Sequence, residues 1–156
     1  MSELSTGSLP AMDAATGPRG AGLSLLLKHA EQAVRQRLQP ALDEHGLTYD
    51  HWRILAVLEL QPGLTMSTIA DAAVVPAATL TRLVDRLTES ALVVRRIDRA
   101  DKRRALVALS PRGEDVTREL RAIEDRLASE VAAALGPDRA AALHRDLTVL
   151  AHVVDQ

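Results

Sequence analysis

Apolar residues first fall into step at Leu23, Leu26, Leu27, Ala30, Val34, Leu38 and Leu42, the three- and four-residue spacing of a helix with one buried stripe. Pro40 lies inside this stretch and predicts a bend there. Gly46 stops the helix and Thr48 caps the next, with Leu47 and Trp52 at the two positions of a hydrophobic staple. The segment "PGLTMSTIADAA" repeats the device, with Thr65 as cap and Leu64 placed to pack on Ile69. In "VVPAATLTRLVDRL", residues 74–87, Leu80, Leu83, Val84 and Leu87 form an apolar side that leaves Thr79, Thr81, Arg82 and Arg86 together. The period then changes. "LVVRRI" and "ALVAL" are short β-branched runs around the charged "DRADKRR", the pattern of a β-hairpin. Ser110 as cap and Pro111 at the first helical position return the chain to helix. Gly136 and Pro137 end that helix and start a last one, to about Val154, with Leu143, Leu147 and Leu150 on one side.

Two short helices, a tight link and a hairpin predict a mainly α fold: a winged helix-turn-helix flanked by N- and C-terminal dimerisation helices. Its parts are a flexible tail over 1–21, an N-terminal dimerisation helix over 22–46, the DNA-binding lobe over 47–110 and C-terminal dimerisation helices over 111–156. The long terminal helices have nothing to pack on inside so small a unit, so their apolar faces are expected to meet those of a second copy as a two-fold homodimer. Composition agrees. Hydrophobic residues make up 47% of 156, enough for a core, and with Tyr49 and Trp52 the only aromatics that core must be aliphatic and helical.

Net charge is −2, yet Pro76 to Arg112 carries nine basic residues against four acidic ones. A basic patch on an otherwise acidic chain is the footprint of an oriented anionic partner. The absence of cysteine excludes disulfides, thiolate metal sites and thiol-based redox sensing. No nucleophile elbow, P-loop, dinucleotide fingerprint or zinc-protease motif occurs, so the chain is expected not to be an enzyme and to need no cofactor. The five histidines (His29, His45, His51, His144, His152) include no i, i+4 pair, which favours scattered residues over a metal site. The N-terminus lacks the basic start and apolar core of a secretion signal, and no apolar run approaches the roughly 18 residues of a membrane span. A cytoplasmic protein is expected.

With these segments in place, the chain resembles the MarR family of transcriptional regulators. The resemblance runs from Leu23 to Val154 and is carried by "LTYDHWRILAVL", "LTMSTIADAAVVPAATLTRLVDRLTESALVVRR", "DRADKRRALVALSPRGEDV" and the two C-terminal helices. Its most specific part is the wing, where Asp98, Asp101 and Arg103 form D-x-x-D-x-R ahead of the Leu-Ser-Pro-x-Gly of residues 109–113. Two positions depart from the pattern. Ser90-Ala91 stands where similar proteins have a glycine, and Pro76 where they often have a Ser or Thr cap.

The resemblance implies a sequence-specific DNA-binding repressor, a homodimer on a pseudo-palindromic operator, released by a small aromatic or carboxylate ligand. The polar side of residues 77–89 would then lie in the major groove of double-stranded DNA. Arg82 would bond guanine edges or phosphate, and the Ala78 and Thr79 side chains would meet a thymine methyl or base edge. Thr81 and Arg86 would contact the DNA backbone. Because Pro76 offers no side-chain acceptor, the amides of Ala78 and Thr79 are expected to grip a phosphate. In the wing, Arg99 would enter the minor groove and Lys102 and Arg104 would reach phosphates. Arg103 would either contact phosphate or brace the loop through Asp98 and Asp101. Arg95 and Arg96 point to opposite faces of a strand, so at most one should reach DNA. His29, His51 and Trp52 are the residues offered to an effector, with Trp52 also readable as a stapling core residue. The competing readings are a solvated helix face, a winged-helix dimer serving as a protein-interaction module, and a metal-sensing regulator.

Overall fold

The computed structural model describes residues 22–154, which form α1 (Leu23–Glu44), α2 (Tyr49–Leu60), α3 (Met66–Ala72), α4 (Ala77–Glu89), β1 (Val93–Ile97), β2 (Ala105–Leu109), α5 (Pro111–Leu135) and α6 (Pro137–Val154). The expected tail over 1–21 lies outside these residues. The expected caps are in place. Thr48 accepts from the His51 amide, Thr65 from Thr68 and Ser110 from Gly113, with Pro111 opening α5. α4 begins at Pro76 without a side-chain cap. Helix α1 runs through Pro40 as one element.

Three helices end in the same way. At the end of α1 the Leu47 amide donates to Leu42 O (2.9 Å) and the Gly46 amide to Asp43 O (3.1 Å). Val75→Ala70 O (3.0 Å) with Val74→Asp71 O (3.2 Å) repeats this after α3, and Leu92→Leu87 O with Ala91→Thr88 O (both 2.9 Å) after α4. These are Schellman closures, which place one residue in the left-handed region to return the last carbonyls to donors. Glycine takes that position at Gly46 (φ 63°), but Val74 (φ 52°) and Ala91 (φ 57°) take it elsewhere. The glycine missing beside Ser90 is therefore replaced by an alanine held in the backbone conformation glycine would have adopted. Val74 holds the link between the two short helices in the same conformation, at greater steric cost for a β-branched residue.

The wing is an antiparallel pair running from Val93↔Leu109 to Ile97↔Ala105. Leu64, just before α3, exchanges both backbone hydrogen bonds with Val107 (3.0 and 2.8 Å) and ties β2 to the helices. The core gathers Leu38 and Leu42 of α1, Trp52, Ile54, Leu55 and Leu58 of α2, Ile69, the four apolar residues of α4, and Val116 and Leu120 of α5. Both staples are buried: Leu47 with Trp52, and Leu64 with Ile69.

By its contacts the chain divides between Ala33 and Val34. In the first unit, Leu23, Leu25, Leu26 and Leu27 are exposed. Burial of the predicted stripe in the second unit begins in earnest at Leu38. On α6 of the second unit, Leu143, Leu147, Val149 and Val153 are exposed as well.

Gly113 permits a close approach of α5 to the backbone at Leu92. A Cβ on it would stand 1.9 Å from the Leu92 carbonyl oxygen. Gly→Ala inside a helix ordinarily gains about 1 kcal/mol; Gly113→Ala should instead lose on the order of 3 kcal/mol, because backbone must move. Val74→Gly and Ala91→Gly should each gain about 1 kcal/mol by relieving the left-handed conformation. Urea unfolding of the three variants checks both signs.

Candidate nucleic-acid interface

Helix α4 buries Leu80, Leu83, Val84 and Leu87 and turns Ala78, Thr81, Arg82 and Arg86 outward, with Thr79 half-buried. Arg82 has no side-chain partner among the described residues, whereas Arg86 lies 3.7 Å from Glu89. At the uncapped start, the Thr79 amide donates to Pro76 O (2.9 Å). The phosphate grip expected of the two amides is corrected for Thr79, whose N–H is spent in a tight first turn. The Ala78 amide has no acceptor among the described residues, as the first amides of a helix require.

The tip of the wing is held by its carboxylates through the backbone. Asp98 accepts from the Ala100 amide (2.8 Å) and Asp101 from the Arg103 amide (3.0 Å). The Asp98 amide donates to Arg104 O, and the Arg104 amide to Asp101 O (both 2.9 Å). These are Asx-type turns. Of the two roles open to Arg103, phosphate contact or loop bracing, its guanidinium does not perform the second: the aspartates brace the loop through backbone amides. Arg99, Lys102, Arg103 and Arg104 are all exposed, and none has a side-chain partner among the described residues. The D-x-x-D-x-R motif thus folds a loop whose cations stay unpaired.

The two strand arginines part as expected. Arg95 meets Asp85 of α4 at 2.5 Å. Arg96 lines the opposite side, in a pocket of 420 Å³ with Leu58, Glu59, Pro62, Ala108, Leu109, Glu114 and Arg118. Neither reaches the tip.

His51, Trp52 and His29 are placed very differently from one another. Trp52 is 1% exposed, donates its indole N–H to Glu124 (2.8 Å) and lies 5.1 Å beneath Arg121. Arg121 also bridges Glu59 (2.8 Å) and Glu124 (2.7 Å). This cluster escapes sequence inspection, since only the Arg121–Glu124 spacing hints at it. His51 completes a capping box: its Nδ1 accepts from the Thr48 amide at 3.0 Å. The imidazole proton therefore sits on Nε2, which is buried without a partner among the described residues. His29 is exposed on the part of α1 that belongs to the first unit. Among the described residues no three His, Asp or Glu side chains gather to hold a metal, and no helix is long and apolar enough to cross a membrane.

A helix-turn-helix whose second helix presents a free arginine, followed by a two-stranded wing with a cationic tip, defines a winged helix-turn-helix DNA-binding transcriptional regulator. A family model described as "MarR family" matches residues 45–104. The HTH-type transcriptional regulator FarR of Neisseria gonorrhoeae is 27% identical over 140 residues, 90% of this chain and 96% of that one. The homoprotocatechuate degradative operon repressor of Escherichia coli is 27% identical over 92 residues, 59% of this chain and 62% of that one. The crystal structure of NadR in complex with 4-hydroxyphenylacetate superposes with a TM-score of 0.77 at 27% identity, covering 87% of this chain and 96% of that one. Over residues 45–104 the chain is similar to the MarR family.

Burial holds His51 below its ordinary pKa of 6.5; Asp50 opposes this and Arg86 adds to it. The unfolded chain then binds the proton more readily than the folded one. The contribution of His51 to stability is full above about pH 6.5 and is lost as pH falls from there through the lowered folded value. His51→Gln keeps a capping-box acceptor and removes the titration. Denaturant unfolding at pH 7.5 and 5.5 should show the wild type losing stability relative to this variant on acidification.

Proposed function

We propose that the protein is a homodimeric repressor that holds a pseudo-palindromic duplex with paired recognition helices and wings, and releases it on binding a small aromatic carboxylate. The observation that carries the DNA reading is the cluster of unpaired cations on the wing tip, with Arg82 on α4. Arg82 on α4 and Arg99, Lys102, Arg103 and Arg104 on the wing are exposed and unpaired among the described residues, while Arg86 and Arg95 face carboxylates. Arg82 reads base edges, with Ala78 and Thr79 beside it. Thr81 and Arg86 touch the DNA backbone. Arg99 enters the minor groove, and Lys102, Arg103 and Arg104 contact phosphates. The solvated-face reading leaves the gathering of four such cations at residues 99–104 of one hairpin tip unexplained.

Dimerisation is supported by the leucines left uncovered on the first half of α1 and, separately, on α6. Contiguous exposed apolar side chains mark a protein contact, and a two-fold contact presents two copies of α4 to one duplex. Repression is supported by the name of the Escherichia coli relative, and the effector class by the ligand in the NadR structure. His51 is the residue we assign to the effector, because a buried N–H without an acceptor is what a ligand oxygen would satisfy. Trp52 and His29 are secondary candidates, the indole of Trp52 being already committed to Glu124.

Specific binding should require two half-sites about one helical turn apart. The duplex for the test is one selected by the wild-type protein from a random pool. Inserting about five base pairs between half-sites should turn one away and cut affinity sharply in a gel shift; unchanged affinity would defeat the dimeric reading.

Substitution should separate two kinds of readout. Arg82→Ala should cost about 1–3 kcal/mol per half-site and relax preference at one base position. Arg99→Ala should weaken binding to selected and scrambled duplexes together and flatten the salt dependence by about 0.9 per lost contact. Both side chains are exposed, so melting temperatures should stay put. Anisotropy titrations at several salt concentrations make the comparison.

A further inference from the structure

Asp85 is an anomaly on the proposed DNA-facing helix. It lies one turn beyond Arg82 and next to Arg86, where a bare carboxylate would repel the phosphates those arginines serve. It is not bare: Arg95 of β1 reaches across to it at 2.5 Å. From this contact we infer that Arg95 and Asp85 form a latch that fixes the wing against the recognition helix, Arg95 acting on DNA through Asp85 and not by touching it.

Position supports this role. In the wing's register Arg95 lies opposite Val107, the residue that Leu64 ties to the helices. The hairpin beyond that level carries Arg99, Lys102, Arg103 and Arg104 at its tip, and a hinge at Arg95 would swing all four. The Arg95 side chain leaves β1 on the α4 side while Arg96 faces the pocket beside Glu114. The pair also joins the two parts of the interface directly. Both side chains are about half exposed, at 47% and 49%, so the pair adds little to folding stability. What it sets is the distance between Arg82 and the wing-tip cations, which must match the spacing of adjacent grooves.

The inference rests on α4 and the wing forming the DNA interface, and a double-mutant cycle separates the two ideas. The proteins are wild type, Asp85→Ala, Arg95→Ala, the double alanine variant and the charge swap Asp85→Arg/Arg95→Asp. Selection of a duplex from a random pool by the wild type tests the interface; the behaviour of Asp85→Ala on that duplex tests the latch. Asp85→Ala removes a negative charge, so without a latch it should leave binding unchanged or tighten it. With the latch it should weaken binding to the selected duplex by about tenfold, as should Arg95→Ala. The double variant should be no weaker than either single one, and the charge swap should restore most of the loss. Discrimination between selected and scrambled duplexes should fall in both single variants while melting temperatures stay within a few degrees of wild type, which a merely structural role would not produce. Unchanged or tighter binding by Asp85→Ala overturns the latch. So do losses that multiply in the double variant, since they would make Arg95 an independent contact.

Discussion

The architecture turns on one close approach, the first turn of α5 against the carbonyl of Leu92. No side chain larger than hydrogen fits at Gly113, where a Cβ would stand 1.9 Å from that oxygen. Ser110 exploits the same proximity. Its hydroxyl donates to Ala91 O (2.6 Å) and accepts from the Gly113 amide (2.9 Å), while its own amide donates to Leu92 O (3.0 Å). The end of α4, the base of the wing and the start of α5 are thereby joined at one point. The wing closes its first pair, Val93↔Leu109, between these segments, and α5 carries Thr117 and Leu120 into the core from the same origin. The Leu-Ser-Pro-x-Gly motif is therefore a joint, in which Ser110 is required by its hydrogen bonds and Gly113 by space.

The joint is reached through a strained residue. Ala91 sits at φ 57° so that α4 can end in two hydrogen bonds and hand Leu92 directly to the strand. Val74 does the same between α3 and α4, with Arg53 donating to its carbonyl at 3.2 Å. An L-residue in this region costs about 1–2 kcal/mol, which the surrounding core must offset. Both strained positions flank the recognition helix. They set its entry and its exit.

Charge is distributed by pairing more than by composition. Several arginines of the helical body are matched: Arg53 with Asp50, Arg118 with Asp115, Arg121 with Glu59 and Glu124, and Arg37 with Glu130. At the wing tip the cations stay unpaired among the described residues, because Asp98 and Asp101 spend acceptors on backbone amides. A chain of net charge −2 can in this way present a locally cationic face without any excess of basic residues overall. Such a face binds a polyanion largely by releasing its counterions.

Much of this was legible in the sequence because the deciding physics is local. Caps at Thr48, Thr65 and Ser110, the staples Leu47–Trp52 and Leu64–Ile69, and the change of period at Leu92 each depend on residues within a few positions of one another. The side of α4 that faces outward follows from the spacing of four apolar residues. What only the tertiary structure decided are the contacts between residues far apart in sequence. Arg95 meeting Asp85, Arg121 stacking on Trp52 while bridging two glutamates, and Gly113 pressed on Leu92 have no periodic signature. Nor could a linear reading show that Asp98 and Asp101 would choose backbone amides over Arg103, or that His51 would lend its Nδ1 to a helix cap and bury its Nε2 unpaired. Hydrophobic spacing and capping are set along the chain; partner choice among charged side chains is set by which atoms the fold brings within reach.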